Sequence, residues 1–113
     1  MNLAGDAELH PMKYYEGRRT IDGIRVTVDG VPLDPRYDLK AFTGLGFEWS
    51  YEGDAPQQLS LALIADAVGA DPALQWSEQF MTSVVVCFDN DWQLTGDEIQ
   101  NALRSFGASL TLT

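Results

Sequence analysis

The chain has 113 residues, 45% of them apolar, and a formal net charge of -10 from 17 acids against 7 bases. This length suits one domain with one core, and the apolar fraction excludes a disordered chain. With neither an apolar run of about 18 residues nor a signal-peptide pattern, a membrane span is not expected, and the expected location is the cytoplasm of a bacterial host.

The charge is uneven. Residues 1–40 hold seven acids and six bases, whereas residues 41–113 hold ten acids and one base, Arg104. Such a field repels nucleic acid and favours a basic partner, although solubility alone is the competing explanation.

Residues 1–11 mix small and polar side chains, which predicts a loosely ordered start. Met12 to Arg19 reads as a first strand. Ile24-Arg25-Val26-Thr27-Val28 alternates, with Ile24, Val26 and Val28 predicted inward. Asp29-Gly30 then separates it from Val31-Pro32-Leu33, a strong hairpin signal, and Pro32 restricts the second arm to a sheet edge. Asp34 to Asp38 reads as a turn, and Lys40 to Thr43 as an irregular link.

In Phe47-Glu48-Trp49-Ser50-Tyr51-Glu52, aromatic and polar residues alternate. The pattern predicts a strand with Phe47, Trp49 and Tyr51 inward and Glu48 and Glu52 outward. After Gly53 to Pro56, Gln57 to Val68 is apolar nearly all round, as in a buried helix, and Gly69 fits its C-terminal cap. Asp71 at an N-cap and Pro72 at a first helical position open a helix over 72–82, with Ala73, Trp76 and Phe80 as its apolar stripe. Val84 to Phe88 fits either the end of that helix or a separate strand. Three consecutive β-branched valines favour the strand. Cys87 lies within it and is predicted to be a buried, inert thiol; as the single cysteine it excludes an internal disulfide.

Asp89-Asn90-Asp91 is a loop and Trp92-Gln93-Leu94 a short extended piece. Thr95 and Glu98 match a capping box. Ile99, Ala102, Leu103 and Phe106 make the apolar face of a helix that ends at Gly107. Ser109 to Thr113 alternates and suits a last edge strand. Together the elements predict a single α+β domain with a mainly antiparallel sheet packed on two to three helices.

The passages Gly46–Tyr51, Gln58–Ala67 and Trp92–Thr95, with Glu98-Ile99, resemble an uncharacterised family of small bacterial and mobile-element proteins, domain of unknown function 6166. The resemblance covers roughly residues 14–103. Its motifs are aromatic and apolar, so it implies core packing and no particular reaction. By size and acidity the chain also resembles the phage-encoded anti-CRISPR inhibitors that mimic DNA.

Catalytic chemistry lacks its parts. One His and one Cys give no closely spaced metal-ligand pair. A calcium loop starting at Asp89 would need Gly and Glu where Leu94 and Gln100 stand. Gly44-Leu45-Gly46 precedes a predicted strand, so it cannot hold phosphate at a helix N-terminus. On that strand Glu48 and Glu52 would be separated by about 13 Å, too wide for a glycosidase pair. No cofactor and no enzymatic activity are therefore expected. Asp66, the one charge in the buried-looking helix, is expected to reach solvent or to pair with an Arg from the N-terminal third, such as Arg18 or Arg25.

The remaining acids suggest a binding surface. Glu48, Glu52, Asp54, Asp89 and Asp91 form the candidate partner-binding row, with Trp92 or Tyr51 as an apolar anchor. The expected partner is a basic nucleic-acid-binding protein or complex, such as a CRISPR effector. A monomer is expected, with no direct nucleic-acid or membrane binding. The alternative is a non-catalytic housekeeping or mobile-element module whose partner does not bind DNA.

Overall fold

The computed structural model describes residues 13–110. The expected loose start at 1–11 lies outside them, as does most of the last predicted strand; Ser109 and Leu110 are not in a strand. Four antiparallel strands form a sheet in the order β3-β2-β1-β4: β1 Tyr14–Thr20, β2 Gly23–Val28, β3 Val31–Pro32 and β4 Trp92–Thr95. Three helices complete the α+β domain: α1 Asp54–Val68, α2 Ala70–Ser83 and α3 Gly96–Ser105.

Alternation along β1 places Tyr15, Gly17 and Arg19 toward the helices and Glu16 and Arg18 on the outer face. Register pairs Tyr15 with Val28, Gly17 with Val26 and Arg19 with Ile24, so β2 turns the expected side chains the same way. Val26 is buried and Val28 partly so, but Ile24 remains exposed. Asp29 and Gly30 both take positive φ, 50° and 84°, as a two-residue hairpin turn of the primed kind requires.

α1 is buried on almost every side, as its sequence predicts. It begins one turn earlier than expected, at Asp54. Pro56 is tolerated because first-turn amides have no partner within the helix, and Asp54 complements the helix dipole. Gly69, at φ 118°, closes α1 and opens α2 in one step. Hence α2 starts at Ala70, and Asp71 lies in its first turn rather than at the cap.

The capping box of α3 is present: Glu98 N donates to Thr95 Oγ1 at 3.1 Å and Thr95 N to Glu98 Oε1 at 2.8 Å. At the other end, Gly107 N donates to Arg104 O and Ala108 N to Leu103 O, both at 3.0 Å, the paired bonds of a Schellman ending.

Several expectations are corrected. Val84–Phe88 is not a strand; Val85–Cys87 forms a 3₁₀ turn whose Val85 plugs the core. The turn continues directly from α2 with no strand beside it, so β-propensity yields to context. It also leaves Cys87 exposed rather than buried.

The 47–52 segment is not a strand either. Ser50 sits at φ 80°, where β pairing stops. Its amide donates to Val85 O at 3.2 Å and its hydroxyl to Phe88 O. Of the three aromatics, Trp49 is fully buried, Phe47 half-buried and Tyr51 exposed.

Asp66, finally, reaches solvent in part, as expected, but pairs with neither Arg18 nor Arg25. It accepts from Tyr15 Oη at 2.7 Å and Lys13 Nζ at 3.1 Å. Tyr15 lies on the inner face of β1 and Lys13 just before the strand, whereas Arg18 is on the outer face. Burial, and then the Asp66 carboxylate, push the Tyr15 phenol well above its ordinary pKa.

Candidate functional site

The predicted partner-binding residues come from two segments far apart in sequence, and the fold ties those segments together. Trp49 Nε1 donates to Asp89 O at 2.7 Å, across forty residues of chain. Ser50 adds its bonds to Val85 and Phe88. Arg19 completes the join. Its Nη2 donates to Glu48 Oε1 at 2.8 Å and to Trp49 O at 2.6 Å, while its Nη1 donates to Asn90 Oδ1 at 2.7 Å. The guanidinium also lies 4.6 Å above the Trp49 ring, a cation–π contact.

The acids of the row therefore differ in standing. Glu48 is only partly exposed and already serves Arg19, so part of its charge is neutralised. Glu52, Asp54, Asp89 and Asp91 are exposed. Asp54 additionally sits in the first turn of α1. Glu48 and Glu52 do not share one strand face, because that strand does not form. What joins the two acid-bearing segments is the loop-to-loop bonding.

Trp92 is corrected outright: it is 6% exposed and cannot act as a surface anchor. On β4 it faces Gly17 of β1, whose missing side chain makes room for the indole. Phe88 stacks on it at 4.4 Å between ring centroids, and Trp49 meets it edge-on at 5.7 Å. Tyr51 keeps the exposure that a peripheral anchor needs, at 48%.

Sequence reasoning missed Arg19 and Asn90. A signal for Arg19 existed: it has the same parity as Tyr15 and Gly17, so it had to face inward and find partners. Asn90 offered none, since a loop amide flanked by aspartates reads as a plain turn.

This aromatic and arginine join lies within the stretch of chain that matches a family. The chain belongs to the family of unknown function DUF6166. The family's sequence model matches residues 15–105, from the inner face of β1 to the end of α3. No curated protein and no solved structure matches the chain. Among the described residues, no three His, Cys, Asp or Glu side chains gather as metal ligands. No described helix is long and apolar enough to cross a membrane.

Proposed function

We propose that this protein is a non-catalytic, acidic binding protein that occupies a basic, nucleic-acid-binding surface of a host defence complex, in the manner of a DNA-mimicking anti-CRISPR inhibitor. The observation that supports this reading is the stitched pair of loops. Glu52, Asp54, Asp89 and Asp91 are exposed, and the two segments that carry them are hydrogen-bonded to each other through Trp49 and Ser50. Fixed acids lose less freedom on binding than acids on mobile loops. Duplex DNA carries about one charge per 1.7 Å, so four carboxylates imitate only a short stretch of backbone. Tyr51, beside them, supplies apolar contact.

Each exposed charge pair contributes only about 0–1 kcal/mol, so single substitutions have small effects and combined ones large effects. The test uses a Glu52→Lys, Asp54→Lys, Asp89→Lys, Asp91→Lys variant that retains Glu48 for Arg19. Wild-type protein should capture a basic protein from bacterial lysate, and duplex DNA should displace it. The variant should lose that capture while keeping its fold by circular dichroism. Capture by both proteins alike, or capture that neither salt nor DNA disturbs, would sink the proposal.

A further inference from the structure

The edge of the sheet opposite β4 is incomplete. β3 pairs with only two residues of β2, Thr27 with Pro32 and Val28 with Val31. One more bond, from Leu33 N to Val26 O at 3.1 Å, ends the pairing before the chain leaves the sheet. That bond also fixes direction. The amide and carbonyl of one strand residue point to the same edge, and so do those of the residue two positions away. The N–H and C=O of Ile24 therefore point to the side where β3 has stopped. Among the described residues, no strand pairs with Gly23–Arg25 on that side.

A groove of about 650 Å³ runs along this open edge. Its apolar wall comes from Ile24, Val26, Pro32, Leu45 and Phe47. Leu45 is 94% exposed on the rim. An unpaired edge next to an apolar groove has the two requirements of strand addition: backbone groups for a ladder, and a place for alternate side chains.

Charge determines the occupant. Arg25 lies directly across from Arg18 on the outer sheet face, both exposed, and neither forms an ion pair with a described residue; Glu16, on the same face, lines one hollow with them but leaves an excess of one positive charge there. Like charges directly opposite one another are destabilising. A second copy paired edge to edge by a two-fold axis would add its own two arginines to the same outer face. An added strand with an acid opposite Arg25 would instead relieve the repulsion.

We infer that the free edge of β2 receives an extended segment of a partner protein, with apolar residues toward the groove and an acidic residue opposite Arg25. This surface is separate from the acidic loops of the proposed function, and its partner carries the opposite charge.

The probes are two fluorescein-labelled decapeptides, one alternating valine with glutamate and the other valine with lysine. Net charge alone favours the lysine peptide. At physiological salt, however, screening over about 8 Å leaves the neighbouring arginines to dominate. The glutamate peptide should bind at least about tenfold more tightly, and Arg25→Glu should invert the preference. Ile24→Pro removes the edge amide at a position where an edge strand tolerates proline, and it should abolish binding. Leu45→Asp alters only an exposed rim residue and should weaken binding at least about fivefold, which covers the case of a misfolded proline variant. The Ile24 amide should exchange quickly in the free protein and slowly with peptide bound. Four results would each overturn the inference: no peptide binding at about 1 mM, where even a weak complex registers; preference for the lysine peptide; an Ile24 amide already protected in the free monomer, which would mean that the chain's own terminal segment covers the edge; or a dimer in ultracentrifugation that Ile24→Pro dissolves.

Discussion

Substituting Gly17 by alanine tests the packing that holds the two loops against the sheet. A Cβ built at Gly17 would lie 2.2 Å from Cε2 and Nε1 of Trp92 and 2.5 Å from Cζ2. Ordinary contact begins near 3.4 Å, so the indole would have to retreat by about 1.2 Å. It cannot do so freely, since Phe88 is stacked on it at 4.4 Å and Trp49 abuts it at 5.7 Å. A flat, enclosed ring has no flexible end that could swing aside. The substitution should therefore fall at the upper end of overpacking effects, about 2–3 kcal/mol. For a domain of this size, that lowers Tm by roughly 8–20 °C. The assay is urea unfolding followed by tryptophan fluorescence. Gly44→Ala is the control: nothing lies within 4 Å of its Cβ, so it should change stability by less than about 0.5 kcal/mol. Trp92→Phe removes the clashing atoms, and in that background Gly17→Ala should be milder by more than about 1 kcal/mol. Equal midpoints for Gly17→Ala and Gly44→Ala would refute the argument.

Arg19→Ala should destabilise by about 2–3 kcal/mol, because it strips partners from Glu48, Trp49 O and Asn90 together. Arg19→Lys should recover only part of that in the same urea titration, having no planar fork. Gln58 is fully buried; it accepts from Phe42 N at 2.7 Å and donates to Pro35 O at 2.7 Å and Lys40 O at 3.0 Å. Gln58→Leu should lower stability by at least about 2 kcal/mol and speed proteolysis of the 35–43 loop, measured by limited digestion. Tyr15 supplies a pH dependence. Its folded pKa is raised, so its contribution is complete below the unfolded value near pH 10 and declines as pH rises beyond it. The urea midpoint should therefore fall between about pH 9 and 11 less steeply in Tyr15→Phe than in wild type.

What could be read from the sequence was what local chemistry decides. The Asp29-Gly30 turn, the capping box at Thr95, the glycine endings at Gly69 and Gly107 and the buried body of α1 depend on a few adjacent residues. The misreadings occurred where partners come from a distance. Phe47 to Glu52 alternates as a strand does, yet Trp49 alone enters the core, and Ser50 bonds to the 3₁₀ turn instead of a strand. Val84 to Phe88 has the composition of a strand but lacks a neighbour to pair with. Trp92 followed a charged loop and suggested exposure; its burial depends on Gly17, which is seventy-five positions earlier. For the candidate site, the five acids were identifiable from charge alone. That the two loops join, and that Arg19 withdraws Glu48 from the row, depends on the parity of β1.

The use of the few bases bears on both proposed surfaces. Lys13, Arg19 and Arg36 are engaged by Asp66, Glu48 and Asp38, so much of the positive charge is held within the fold. The Asp38 carboxyl is held below its usual range, first by its bond to Arg36. Arg18 and Arg25 remain on the outer face of β1 and β2, adjacent and of like sign. A chain of net charge -10 thus keeps two exposed arginines beside Glu16 on one sheet face and exposed carboxylates at Glu52, Asp54, Asp89 and Asp91. The two regions predict different salt responses. Contacts through the exposed acids should weaken steeply with ionic strength, as dispersed surface charges do. Binding at the β2 edge rests mainly on a backbone ladder and apolar contact, so it should weaken little apart from the Arg25 contribution. One titration series from low to high salt, run against both kinds of partner, therefore separates the two surfaces without any mutation.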